Sequence, residues 1–304
     1  MAKIKLTAKQ QKILYYGLLG VLVLIFIASA AGIAAYFIES NQSGKRYDEL
    51  SNLLEEIRST MDQDTGDNTP NGGNSNENNG GNSGNSGSND PDNPQGNLNK
   101  DPNSSQNAAP KEPVMLADYK QIYDMNNDMV GWITMPGIKV NYPVVQTPND
   151  PDYYLDHDFY KRRSDWGAIY AEEACDINRP SDNIILYGHH MKDGSMFASL
   201  LKFQQKEFWE THQKFIFDTL YERHQYRIWA VFKISGDAGN GFPYHQFIYA
   251  ATQKDFDDFV STAKSLSFYD TGITPEYGDY LLTLSTCEYT LENGRFVVCA
   301  VRTD

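Results

Sequence analysis

"TLSTCEYTLENGRFVVCAVR", Thr283 to Arg302, decides how this chain is read. Two runs rich in β-branched and aromatic residues flank a polar stretch holding Asn293-Gly294, which signals two antiparallel strands joined by a loop with left-handed positions. A loop centred near Leu291 sets Cys287 opposite Arg295 at the mouth of that hairpin. A guanidinium beside a thiol favours the thiolate, and it can donate hydrogen bonds to an oxyanion that forms when sulfur attacks a carbonyl. Arginine suits the task because it is always charged and presents fixed, forked donors.

Outward from the hairpin, "TQKDFDDFVSTAKS" reads as an amphipathic helix. Thr252 and Asp255 fit a capping box, and Phe256, Phe259, Val260 and Ala263 share one face. Six further segments read as strands: "VGWITM", "IKVNYPVVQ", "GAIYAE", "NIILYG", "KFIFDTL" and "HQYRIWAVFKIS". "VMLADYKQIYDMNND", "SMFASLLKF" and "KEFWETH" read as helical. Short strands outnumber helices, so residues 114–304 are predicted to form one mainly β domain, an eight-stranded barrel, closed or nearly closed, with peripheral helices.

A cysteine nucleophile needs a proton partner, most often histidine. Of six histidines, His189 and His190 in "NIILYGHHMKDGSMF" stand out, because an apolar strand delivers them at its end. Neighbouring strand residues point to opposite sides, so only one of the two can face Cys287, and the pattern leaves open which. The same splay argues against a metal site at "HHMKD"; no metal or other cofactor is expected.

A formal net charge of -14 makes nucleic acid an unexpected partner. Three cysteines make no disulfide framework and leave at least one free thiol. Cys175, in the acidic stretch "AEEACDIN", and Cys299, alternating with Val298 and Val301, read as structural. Glu288 reads as a solvated loop carboxylate, and Trp132, Trp166, Trp209 and Trp229 read as core.

Ile13 to Ile38 carries no charge and is longer than the roughly 20 residues that span a bilayer as a helix. Ala28-Ser29-Ala30 resembles a signal-peptide cleavage site, but the apolar run continues past it, which favours an uncleaved anchor. Lys3, Lys5, Lys9 and Lys12 crowd its amino side, placing residues 1–12 in the cytoplasm and the rest outside the cell. Residues 39–58 follow as a juxtamembrane segment. Leu50, Leu53, Leu54 and Ile57 there have helical spacing, suited to a short helix or a weak self-association stripe. Residues 59–113, rich in Asn, Gly and Ser, lack the apolar side chains to offset ordering entropy. They read as a flexible tether reaching roughly 40 Å, which lets the domain search the space above the membrane.

"TLSTC" with an arginine eight residues on, and "YGHH" about a hundred residues earlier, resembles the sortase family of cysteine transpeptidases. "VGWITMPGIKVNYPVVQ", "YYLDHDFYKRRSDWGAIYAEEACD" and the amphipathic helix extend the likeness over Asp118 to Val301 and favour the class B branch. The resemblance implies a calcium-independent sortase-type β-barrel at a Gram-positive cell surface, with Cys287 as nucleophile, His189 as the family's histidine and Arg295 as its arginine. Ser285 and Thr286 match positions that line the substrate pocket, while His190 matches no family role. The implied reaction cuts the C-terminal sorting signal of a secreted protein, an LPXTG- or NPQTN-like motif, after threonine. The product is passed to an amine of a peptidoglycan precursor or a pilin lysine. Two departures from the family pattern are the long tether and the short loop between Cys287 and Arg295.

Overall fold

The computed structural model describes residues 7–66, 113–236 and 241–304. The chain begins with one long helix, α1 (Ala8–Gly66). Among the described residues it is the helix long and apolar enough to cross a membrane, and its apolar side chains from Ile13 to Ile33 are exposed. Most of the Asn/Gly/Ser-rich linker expected over 59–113 lies outside the described residues.

Beyond it come α2 (Ala117–Met125), β1 (Met129–Met135), β2 (Val140–Val145), β3 (Ile169–Ala171) and β4 (Asn183–Tyr187). A 3₁₀ segment at Ala198–Gln204 leads into α3 (Lys206–Thr211), β5 (Lys214–Thr219) and β6 (Gln225–Ser235). The chain closes with α4 (Gln253–Leu266), β7 (Leu281–Cys287) and β8 (Gly294–Arg302). The eight strands form a closed barrel in the order β1-β2-β3-β4-β7-β8-β6-β5, which leaves no open edge. Two neighbouring pairs, β2 with β3 and β4 with β7, are parallel.

Alternation along the strands divides the apolar residues between two cores. Leu282, Leu284, Phe296, Val298 and Ala300 join the barrel interior with Ile133, Val144 and Ile185. Leu281, Val297, Cys299 and Val301 face outward against Phe256, Phe259, Val260 and Ala263 of α4. The capping box at Thr252 and Asp255 is formed and fixes where α4 starts. All four tryptophans are buried.

The segment after the apolar run corrects the sequence reading. Residues 46–58 are neither a separate short helix nor a self-association stripe; they continue α1 and join the barrel's core. Tyr47, Leu50 and Leu54 are buried there, and the Tyr47 ring meets Tyr142 edge-on at 5.3 Å. Ser51 donates to the Asn141 carbonyl at 3.1 Å. Arg58 pairs with buried Asp118 at 2.7 Å and with Asp218 at 3.3 Å. The chain entering the linker is thereby fixed beside the chain leaving it, within one compact unit. It is α1 that joins the apolar segment to the barrel. Sequence spacing shows the stripe but cannot name a partner 60 to 160 residues away.

Candidate active site

In the β7–β8 ladder the last pair is Cys287 with Arg295, so both side chains leave the same face at the barrel's end. The connecting loop is organised by Glu288. Its carboxylate accepts hydrogen bonds from the Thr290 and Leu291 backbone N–H groups at 3.0 and 3.2 Å and from the Thr290 hydroxyl. It also pairs with Lys233 at 2.9 Å. The expectation of a solvated carboxylate is therefore wrong: Glu288 is 4% exposed. Burial alone would raise its carboxyl, but the bonds from Lys233 and Thr290 outweigh that and hold it below the ordinary range.

The loop's backbone also differs from expectation in one detail. Asn293 alone takes the left-handed conformation, at φ 48°. Gly294 is required for another reason, since a Cβ there would run into the Glu288 carbonyl oxygen. Arg295 folds back on this short loop, and its Nη1 donates to the carbonyls of Asn293 and Gly294 at 3.2 and 3.1 Å.

His189 follows β4, which runs parallel to β7 and brings Tyr187 level with Ser285. A pocket of about 170 Å³ is lined by His189, Cys287 and Arg295 together with Tyr170, Tyr187 and Thr286. The imidazole is held by its Nε2, 2.6 Å from the Leu155 carbonyl oxygen. A carbonyl can only accept, so Nε2 carries the proton there and Nδ1 is left to exchange another. Leu155 lies within the family-like stretch, but its part is invisible in the sequence, because a backbone carbonyl leaves no trace in residue type.

His190 also reaches this region, by a different route. Its Nδ1 lies 2.9 Å from the Cys287 carbonyl oxygen, and its ring rests on Tyr289 at 5.1 Å. It braces the nucleophile's backbone and does not line the pocket. Of the two pocket residues beside the nucleophile, Ser285 is bound to the Tyr244 hydroxyl at 2.7 Å. The Thr286 hydroxyl is buried with no partner among the described residues. Behind the pocket wall, Tyr187 donates to Glu172 at 2.6 Å. Burial, reinforced by neighbouring Glu173, pushes the Glu172 carboxyl up to about 7.

The remaining thiols are unsuited to chemistry. All three cysteines are free, but Cys175 and Cys299 are buried, which pushes both thiols up to about 12. Cys287 alone is partly open.

A family model of the sortase domain matches residues 133–303. Sortase B of Listeria monocytogenes is 33% identical over 183 residues, covering 60% of this chain and 72% of that one. The fold is similar to that of a Staphylococcus aureus sortase B–substrate complex, with a TM-score of 0.65 at 22% identity, covering 88% of this chain and 99% of that one. A sortase B structure complexed with triglycine gives a TM-score of 0.57 at 28% identity, covering 62% of this chain and 86% of that one. With its closed barrel and with more than half its length matched by the domain, this chain belongs to the sortase family of cysteine transpeptidases, on the class B branch.

Proposed function

We propose that the protein cleaves the C-terminal sorting signal of secreted proteins, an LPXTG- or NPQTN-like motif, after its threonine and transfers the new carboxyl end to an amine. The observation that carries this reading is the shared pocket of Cys287, His189 and Arg295 at the barrel's end. The Cys287 sulfur, having given its proton to His189, attacks the threonine carbonyl carbon. Charge then develops on the carbonyl oxygen, and the guanidinium of Arg295 stabilises it. As the peptide C–N bond breaks, the imidazolium returns the proton to the departing amine and a thioacyl enzyme remains. The acceptor amine attacks that thioester, loses a proton to His189 and expels the thiolate, which restores the enzyme. Thr286, with its unpartnered hydroxyl, and Ser285 form the wall against which the motif lies.

The acceptor is an amine of a peptidoglycan precursor cross-bridge or a pilin lysine. The structure of a relative complexed with triglycine supports an amine of the first kind. The lysines before Ile13 support a cytoplasmic amino terminus, with the barrel outside the cell and α1 as its anchor. Confinement to that surface raises the effective concentration of membrane-held precursors.

Mixing the enzyme with an Asn-Pro-Gln-Thr-Asn peptide and triglycine tests the reading. The expected result is a glycine-extended product and a thioacyl adduct on Cys287, visible by mass spectrometry. Cys287→Ala should abolish both. Product released only to water would mean a hydrolase, and cleavage surviving in Cys287→Ala would remove the assigned nucleophile.

A further inference from the structure

α1 does more than reach the barrel: it holds both chain segments that fix His189. Ser40, Ser43, Tyr47, Leu50, Leu54 and Arg58 recur at three- and four-residue intervals, so they form one stripe along the helix. The lower half of the stripe, from Leu50, packs as described above. The upper half is polar and contacts the loops around the site.

The first segment is Ser164–Gly167. The Ser43 and Ser164 hydroxyls lie 3.3 Å apart in a buried contact, and the Asp165 N–H donates to Glu39 at 3.2 Å. The Tyr36 and Trp166 rings approach to 5.4 Å. Tyr47 donates to the carbonyl oxygen of Gly167 at 2.7 Å. Gly167 has φ 56°, and a Cβ on it would fall 2.6 and 2.8 Å from the carbonyl oxygens of Tyr154 and Leu155 and 3.1 Å from Cδ2 of His189. It thus packs against both the imidazole and the Leu155 carbonyl that holds the imidazole. Only glycine fits there, and its own carbonyl is fixed by Tyr47.

The second segment is the loop after His189, whose carbonyl accepts from the Phe197 N–H at 3.0 Å. Within that loop Asp193 accepts from the Ser195 N–H at 2.9 Å, from Trp166 Nε1 at 3.4 Å and from the Ser40 hydroxyl at 2.7 Å. The helix therefore holds the loop that carries His189 and, separately, the backbone that orients its ring.

We propose that Tyr47 and Ser40 are positioning residues for His189, so that the same helix that provides the apolar membrane segment also sets the geometry of the proton-transfer group. The inference rests on His189 as acid–base. Loss of the Tyr47 hydroxyl leaves a buried carbonyl unpaired and loosens Gly167, which packs beside the imidazole. The imidazole then spends less time in the reacting geometry, while the peptide's binding surface is untouched. Such misplacement lowers kcat and leaves KM in place.

The test is steady-state kinetics of the full chain in detergent micelles, with the Asn-Pro-Gln-Thr-Asn peptide and triglycine, each variant normalised by titration of reactive Cys287. Tyr47→Phe is expected to lower kcat about tenfold with KM within about twofold, and Ser40→Ala to act in the same direction by about threefold. Arg58→Ala, at the far end of the stripe, is expected to lower the melting temperature and leave kcat unchanged. Should Tyr47→Phe fail to fold, Ser40→Ala decides alone. Unchanged kcat in the folded variants overturns the inference, as does a fall in Arg58→Ala equal to theirs, which would reduce the contacts to general stability. His189→Ala separates this inference from the one beneath it. If that variant is inactive and Tyr47→Phe is not impaired, only the positioning role fails; if His189→Ala is fully active, the acid–base assignment fails first.

Discussion

Cys287 and Cys299 stand on the two arms of one hairpin and on the same face of it, yet they live in different chemistry. Cys299 pairs with Thr283 in mid-ladder, under α4, with Trp229 and Phe259 in the same apolar cluster. Its thiol is pushed up to about 12 by burial and cannot ionise near neutral pH. Cys287 pairs with Arg295 where the ladder ends, beside a pocket that also admits His189. The strand pattern puts both sulfurs on one face. Position along the hairpin decides which of them a substrate and an arginine can reach.

The comparison breaks most sharply if the arginine is removed. Arg295→Ala should lower kcat of peptide cleavage by about 10²- to 10³-fold, the usual cost of losing one oxyanion donor. Its guanidinium donates to carbonyls of its own loop, so the melting temperature should change little. Activity within about threefold of the parent would show that the cysteine end of the hairpin is not electrostatically special.

Glu288 sharpens the same contrast from the side of stability. The reactive end of the hairpin is open, and an ion pair between buried Glu288 and half-buried Lys233 holds it in shape. Glu288→Gln removes the charged partner of a half-buried lysine and should destabilise the fold by about 2 kcal/mol at neutral pH, measured by denaturant unfolding. The pH dependence has a definite sign. The folded carboxyl lies below its ordinary range, so its contribution is fully present above the unfolded value. It is lost as pH falls through the lower folded value. The gap between parent and variant should therefore shrink on acidification, and a gap that widens would contradict the pairing.

How much of this could be read in advance depends on how local each cause is. The hairpin, the capped α4 and the placement of Cys287 opposite Arg295 come from short-range patterns: alternation, a turn pair, a capping box. The closed barrel follows because a run of eight short strands has few other ways to remove its edges. What stays hidden depends on distant partners. Glu288 is buried because Lys233 faces it from β6. The Leu155 carbonyl holds His189, although no side chain announces it. The stripe on α1 is visible as apolar spacing, but its polar upper half, Ser40, Ser43 and Tyr47, has meaning only once Ser164, Gly167 and Asp193 are beside it.

The smallest effect belongs to the inert thiol. Cys299→Ala removes a buried sulfur that accepts a long hydrogen bond from the Thr283 hydroxyl at 3.9 Å, too weak a contact to count for much. The expected loss is about 1 kcal/mol of stability with kcat unchanged, read by denaturant unfolding beside the cleavage assay. A methanethiosulfonate reagent supplies the matching reactivity. In the folded parent it should modify Cys287 and spare Cys299, which becomes reactive only as the protein unfolds. Modification of Cys299 under native conditions would mean that the α4 face opens readily. Burial would then not be what separates two sulfurs on one hairpin.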